Sequence, residues 1–297
     1  MSAPVRADMA RRADTARRRL PAVTFSIVGR SPDGRSTGVA VASKFLAVGS
    51  AVPAARHGVG AIATQAFANT LYKRDGLALL SDGHSAAEAV DALLRSDEGR
   101  ESRQVGIVDA AGLAATWTGA ECMDWAGGLS GDGYAIQGNI LTGADVVTEM
   151  QRAWLGSADL RLPERLLGAL AAGDLAGGDR RGRQSAALLV VADSGGYTPG
   201  DDCAFDLRVD DHADPVAELA RLLALHHDYF QAPDESELLP LDGPVGDEVA
   251  ALLSTVGHPD LDSWAGVQNY ELRLRPGRID PLLLTRLREA AGSQAPQ

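Results

Sequence analysis

The chain is predicted to fold as an α+β protein: a four-layer α-β-β-α sandwich followed by a small all-α module. Three observations lead there. Strand-like stretches come in pairs joined by short turns, pairs of helical stretches separate them, and beyond Asp214 the chain turns to helix alone. Strands grouped in runs between helix pairs build stacked sheets with helices outside, whereas a parallel βαβ winding alternates strand and helix singly. With 297 residues, 45% apolar and 23% charged, the chain can bury one large core plus a smaller one.

The first pair is the clearest. Thr24-Phe25-Ser26-Ile27-Val28-Gly29 and Thr37–Lys44 flank Ser31-Pro32-Asp33-Gly34. Proline presets φ and glycine supplies φ > 0, so this is a hairpin. Gly58–Gln65 reads as a third strand. A helical stretch follows from about Thr70 to Leu80. Ser85-Ala86-Ala87-Glu88 is a capping box opening a second helix through Leu93 and Leu94. Gln104–Val108, the turn Asp109–Gly112 and Ala114–Thr118 form another hairpin, and Tyr134–Leu141 a further strand. Helices are expected over Ala144–Leu155 and Leu162–Ala172. The loop Gly177-Gly178-Asp179-Arg180-Arg181-Gly182-Arg183-Gln184 leads into Ser185–Val191, a buried-strand pattern, and Cys203–Val209 is a last, more polar strand. The tail then offers a helix from Asp214-Pro215 to Tyr229, an acidic, proline-bearing linker over Pro233–Pro244, and helices over Gly246–Val256, Leu261–Leu274 and Asp280–Ala291. The domains expected are a leader (1–23), a sandwich (24–232) and a helical module (244–297).

Composition removes several function classes. A formal net charge of −12 argues against nucleic acid as a partner. Two cysteines, Cys122 and Cys203, give neither a disulfide framework nor metal-like spacing, though one bridge between them is conceivable. No stretch of 18 apolar residues occurs, so no membrane span is expected. No His–Cys or Asp–His constellation, no Gly-x-Ser-x-Gly and no lysine after the glycine-rich loop emerge, so a serine triad, a metal hydrolase and a nucleotide phosphate loop are disfavoured. No cofactor or metal is called for. The leader carries Arg6, Arg11, Arg12, Arg17, Arg18 and Arg19 without the apolar stretch of a signal peptide. It reads as a disordered basic tail, as a stretch never made if Val23 marks a GUG start codon, or as one removed by cleavage between Val23 and Thr24. A cytoplasmic location is expected.

Several motifs together resemble the bacterial family called domain of unknown function 1028: Thr24–Val28, Gly38–Phe45, Gln104–Val108, Gln137–Ile140 and Gly177–Ser185. The likeness spans about Thr24 to Asp210. It implies membership of the N-terminal-nucleophile (Ntn) hydrolase superfamily, with that superfamily's four-layer sandwich. The tail, with Trp264–Glu271 and Asp280–Leu287, is similar to the peptidoglycan-binding-like helical domain often appended to the family. Members commonly begin almost at the threonine, whereas 23 residues precede it here.

Thr24 is therefore the first candidate. A threonine with a freed α-amine carries nucleophile and base on one residue; alternatively it is a strand threonine chosen for β propensity. Ser26 lies on the same strand face and could orient Thr24 or pair across the strand. The resemblance implies a charged residue near the nucleophile, for which Lys44 is the candidate; a solvated strand-end lysine is the alternative. Gln65 and Asn69 are candidate amide donors to substrate, or turn residues. Gln137 and Asn139 flank a glycine within an apolar strand. A buried unpaired amide costs about 1–3 kcal/mol, so both need partners, and Asn139 is assigned a catalytic role. Arg180 and Arg183 suit recognition of an anionic group, with Asp179 pairing one arginine or a substrate amine; a solvated loop or a subunit contact is the alternative. The expected activity is hydrolysis of an amide in a small, anionic substrate. The other possibility is a non-catalytic binding protein whose tail holds a glycan or protein partner. A homo-oligomer, taken as a dimer, is expected, and peptidoglycan is a partner the lack of an export signal argues against.

Overall fold

The computed structural model describes residues 24–293; the expected basic leader lies outside the described residues. Two compact units are present, one through Ala220 and one from Arg221 on. The first is mixed α+β with antiparallel sheets. Its central strand β1 (Thr24–Arg30) is followed by β2 (Ser36–Ser43). The turn between them works as its residues suggest: Gly34 sits at φ 75°, and the Asp33 carboxylate accepts from the Ser31 hydroxyl and the Arg35 amide.

The chain continues through α1 (Val48–Ala51), β3 (Pro53–Arg56), β4 (Gly60–Ala66), α2 (Leu71–Ser81), α3 (Ala86–Arg95), β5 (Arg103–Asp109), β6 (Ala114–Thr118), β7 (Gly127–Gly131), β8 (Tyr134–Asn139), α4 (Asp145–Leu155), α5 (Leu162–Leu175), β9 (Ser185–Ala192), β10 (Cys203–Val209) and α6 (Pro215–Phe230). One sheet has the order β10-β9-β2-β1-β8-β7, the other β3-β4-β5-β6. All pairings are antiparallel. β1 and β2 are buried almost throughout, which is why they read as near-continuous apolar runs rather than alternating ones.

Val28, Val39, Val41, Ala61, Ala63 and Val108 form one apolar cluster joining residues of both sheets. On the other side of the second sheet, Ile62, Val105 and Ile107 pack with Tyr72, Leu80, Val90 and Leu93 of α2 and α3. α5 lies on β1 and β2. The helix layer comes close to β1: a Cβ on Gly29 would stand 2.6 Å from Trp154 of α4 and 3.0 Å from Leu166 of α5. The Ser85 capping box opens α3 as its sequence requires.

Two strands of the first unit escaped the sequence, as did the short pair in the second. β7 is Gly-Gly-Leu-Ser-Gly and β3 a four-residue piece opening on proline. Neither composition favours a strand, and both are held by pairing to a stronger neighbour, β8 and β4. Tyr134–Leu141 ends as a strand at Asn139, because Ile140 turns to φ 49°.

The second unit holds α7 (Gly243–Val256), α8 (Leu261–Val267), α9 (Pro281–Ser293) and the short pair β11 (Leu239–Pro240) and β12 (Arg278–Ile279). α8 stops seven residues short of Leu274; a 3₁₀ turn at Glu271–Arg273 follows it. Trp264, Tyr270, Leu283, Leu284 and Leu287 form its core. No helix of the described residues is long and apolar enough to cross a membrane.

Candidate functional site

β1, β2, β8 and β9 bring four polar residues into one register row: Asn139, Thr24, Ser43 and Ser185. All are at most 1% exposed. The Thr24 hydroxyl donates to Ser43 Oγ at 3.2 Å. The Ser185 hydroxyl donates to the Phe45 carbonyl and accepts from the Val48 amide, which fixes the chain as it leaves β2.

Two residues further along β1, Ser26 pairs with Gln137. Side chains alternate across a strand, so Ser26 shares the Thr24 face. From the other sheet, Gln65 and Gln104 stand opposite one another in β4 and β5. These amides interlock. Gln65 Nε2 donates to the Thr24 carbonyl at 3.1 Å, to Gln104 Oε1 at 2.8 Å and to the Gln137 carbonyl at 3.3 Å. Gln65 Oε1 accepts from the Ser26 hydroxyl at 2.6 Å, and Ser26 accepts from Gln137 Nε2 at 2.7 Å. Asn139 Nδ2 donates to Gln104 Oε1 at 3.1 Å and, at a long 3.5 Å, to the Thr24 carbonyl. Ser26, Gln65, Gln104 and Gln137 are fully buried. Each group left unpaired there would cost about 1–3 kcal/mol, so the cluster stands or falls as a set.

The partners found at Thr24 are hydroxyls and amides, none of which titrates near neutral pH. Lys44 is exposed, and its ammonium donates to the Arg183 carbonyl at 3.1 Å.

Beside this row opens a cavity of about 430 Å³, lined by Phe25, Ser43, Asp174, Asp179, Gly182 and Arg183 among others. The glycine-rich loop forms its wall. Asp179 is its pin: the carboxylate accepts from the Lys44 amide at 2.7 Å and the Arg181 amide at 2.9 Å, and pairs with the Arg181 guanidinium at 3.3 Å. Burial pushes this carboxyl above the usual range, against the pull of those donors. The glycines are needed here. Gly177 and Gly178 have φ 117° and 53°, and a Cβ on Gly177 would meet Thr142 at 2.4 Å.

The structure thus brings together Thr24, Ser26, Gln65, Gln137 and Asn139, and separately Asp179 and Arg183 at the cavity, with Lys44 bonded to both but outside the lining. Two expected residues are elsewhere engaged. Asn69 heads α2, where its Oδ1 accepts from the Leu71 amide and its Nδ2 donates to Asp97. Arg180 is exposed, and its amide donates to the Ile140 carbonyl. Arg183 carries the Asp174 carboxylate at 2.8 Å. The arginine on Asp179 is Arg181. Sequence reasoning passed over Gln104 and Ser43. Gln104 had the same signal as Gln137, an amide within an apolar strand. Ser43 had none, because its role comes from register alone. Cys122 and Cys203 are free thiols. Among the described residues no group of three or more His, Cys, Asp or Glu could hold a metal ion.

A family profile described as a family of unknown function, DUF1028, matches residues 24–219. The chain belongs to the DUF1028 family. The crystal structure of protein SPO2555 from Silicibacter pomeroyi, of that family, is 30% identical with a TM-score of 0.62, covering 76% of this chain and 92% of that one. Comparison with the curated proteins gives no match. In this DUF1028 chain the match begins at Thr24, the first residue of β1, and ends one residue short of Ala220, where the first compact unit closes.

Proposed function

We propose that the protein is an amide hydrolase of the Ntn type, with Thr24 as nucleophile and a small substrate held in the cavity beside it. On this reading the two sheets and their outer helices are the superfamily's four-layer sandwich. The observation that carries the proposal is the environment of Thr24. It is a strand-opening threonine with its hydroxyl on Ser43, its carbonyl held by Gln65 and Asn139, and a cavity of about 430 Å³ lined by its neighbours Ser43 and Phe25, though not by Thr24 itself. That volume suits a small molecule.

Once the amine is free, Oγ attacks the substrate's carbonyl carbon while the amine takes the hydroxyl proton. The C–N bond breaks as that proton passes to the leaving nitrogen. Water then hydrolyses the ester, restoring the hydroxyl. Asp179 and its arginine partner hold the cavity wall, and an anionic group in the cavity would have to compete with Asp174 for Arg183.

In the 297-residue chain the Thr24 nitrogen is a peptide amide, so the reaction requires a chain beginning at Thr24. Intact mass and N-terminal sequencing of protein expressed from its own upstream DNA decide this. A mature chain starting at Thr24 is expected; a stable, longer chain would overturn the proposal. One observation favours a second reading, a binding protein on the same scaffold: Thr24 is 0% exposed. On that reading the longer chain persists and the helical unit does the binding. Retention of the full-length chain on isolated peptidoglycan or on a protein partner would support it.

A further inference from the structure

We infer that Gln104 is a positioning residue, whose Oε1 anchors the N–H groups of Gln65 and Asn139 where they also reach the Thr24 carbonyl. Gln104 faces two acceptors that cannot be reversed. Gln104 Nε2 donates to the Gly138 carbonyl at 2.8 Å and the Gly127 carbonyl at 3.2 Å, and to Thr118 Oγ at 2.9 Å. A backbone carbonyl only accepts, so the NH₂ end of Gln104 must face those two glycines. Its Oε1 must then face the other way, toward Gln65 and Asn139.

The rest follows by exclusion. An oxygen at that point requires donors, so both neighbouring amides present their NH₂ groups to Gln104 Oε1, at 2.8 and 3.1 Å. Their NH₂ groups also reach the Thr24 carbonyl, at 3.1 and 3.5 Å. Gln65 Oε1 is left to accept from Ser26, whose oxygen accepts from Gln137 Nε2 in turn. Gln137 Oε1 then faces Thr116 Oγ1 at 3.4 Å, whose single proton is shared with the Val105 carbonyl at 3.1 Å. The Thr24 and Gln137 carbonyls demand the same orientation of Gln65, whose Nε2 donates to both, so Gln104 Oε1 and these carbonyls hold that amide together. β5 itself needs a glycine opposite Gln137: a Cβ on Gly106 would stand 2.0 Å from Gln137 Oε1.

The consequence concerns a chain end, and here the inference rests on Thr24 being the freed nucleophile. A terminal residue has lost the covalent anchor on one side and tends to fray. Two N–H groups aimed at its carbonyl replace that anchor, and strand pairing with β2 and β8 does the rest. Gln104 never needs to touch substrate. It acts through Gln65 and Asn139.

The test uses the full chain, with hydrogen exchange of the Gln65 and Asn139 side-chain amides read by NMR. In wild type both are expected to be protected. Gln104→Leu removes donor and acceptor together, and exchange at both amides is expected to rise by about tenfold, the loss of roughly one net hydrogen bond. Gln104→Glu guards against a misfolded leucine variant. Its carboxyl can mimic the amide only while protonated, with the O–H donating to the Gly138 carbonyl. Facing carbonyls in a buried site, it gains a proton more readily than the ordinary glutamate at about 4.3. At acid pH Gln104→Glu is therefore expected to show wild-type protection. That protection is lost as pH rises through the raised value, measured against wild type at each pH. Unchanged exchange in folded Gln104→Leu, or a Gln104→Glu profile parallel to wild type, would overturn the inference. Neither readout depends on turnover, so failure of the hydrolase reading, seen in the mature N-terminus, is scored separately.

Discussion

Thr24 carries a single hydroxyl hydrogen bond, to Ser43, which makes substitution there informative. Thr24→Ala removes that bond and is expected to cost only about 1 kcal/mol of stability, while hydrolysis falls by about a thousandfold or more. Thr24→Ser restores part of the rate. Circular dichroism melts beside turnover of an amide panel check both; an active Thr24→Ala protein defeats the nucleophile assignment. The neutral surroundings of Thr24 add a pH prediction. With hydroxyls and amides as its partners, the free amine is the group left to titrate in the reaction, and its neutral form is the base. The rate of mature protein is expected to rise with pH through one ionisation, ordinarily at about 8 for an α-amine, and then level off. A bell-shaped profile would show a second titrating group.

At the scale of elements, the joints between strands and helices carry the predictions. Gly106 gives β5 its fit against β8, so Gly106→Val should push Gln137 off Ser26 and lower stability by about 1–3 kcal/mol or more, read in urea. Asp97 ties α2 and α3 to β5. Burial would raise its carboxyl, but hydrogen bonds from Arg103, Asn69, the Gly99 amide and Tyr72 outweigh this and hold it well below the usual range. A carboxyl lowered on folding stabilises fully above its unfolded value of about 3.9, and that contribution is lost as pH falls below it. Wild type is therefore expected to lose stability on acidification from pH 5 toward 3, and Asp97→Asn to be weaker at pH 7 and flatter across that range. The capping box and the Pro-Asp-Gly turn were legible because their chemistry is local. β3 and β7 were not, because their residues have little strand preference and only pairing holds them.

At the scale of the molecule there are two compact units, and a change confined to one should be felt there first. In the second, Arg273 is 9% exposed, pairs with Asp280 and also donates to the carbonyls of His227 and Asp228. Breaking a buried pair strands the remaining charge at a cost of about 3–5 kcal/mol. Arg273→Met should therefore lower exchange protection in α7 and α9 while β1 and β2 keep theirs, measured on the full chain by mass spectrometry. Equal loss in both units would mean that they unfold together.

The α+β class, the first hairpin, most helices and the polar residues on β1 and β8 were legible in the order of residues alone. Period, turn chemistry and an amide's need for a partner are all local facts. Tertiary structure decided which polar residues meet. Register across β8, β1, β2 and β9 sets Ser43 against Thr24. The apposed sheets bring Gln65 and Gln104 to Asn139 and Gln137. The loop geometry gives Asp179 to Arg181 rather than to Arg180 or Arg183. Hydrogen bonds act over about 3 Å, and residues 35 or 111 apart in sequence come that close only through the fold.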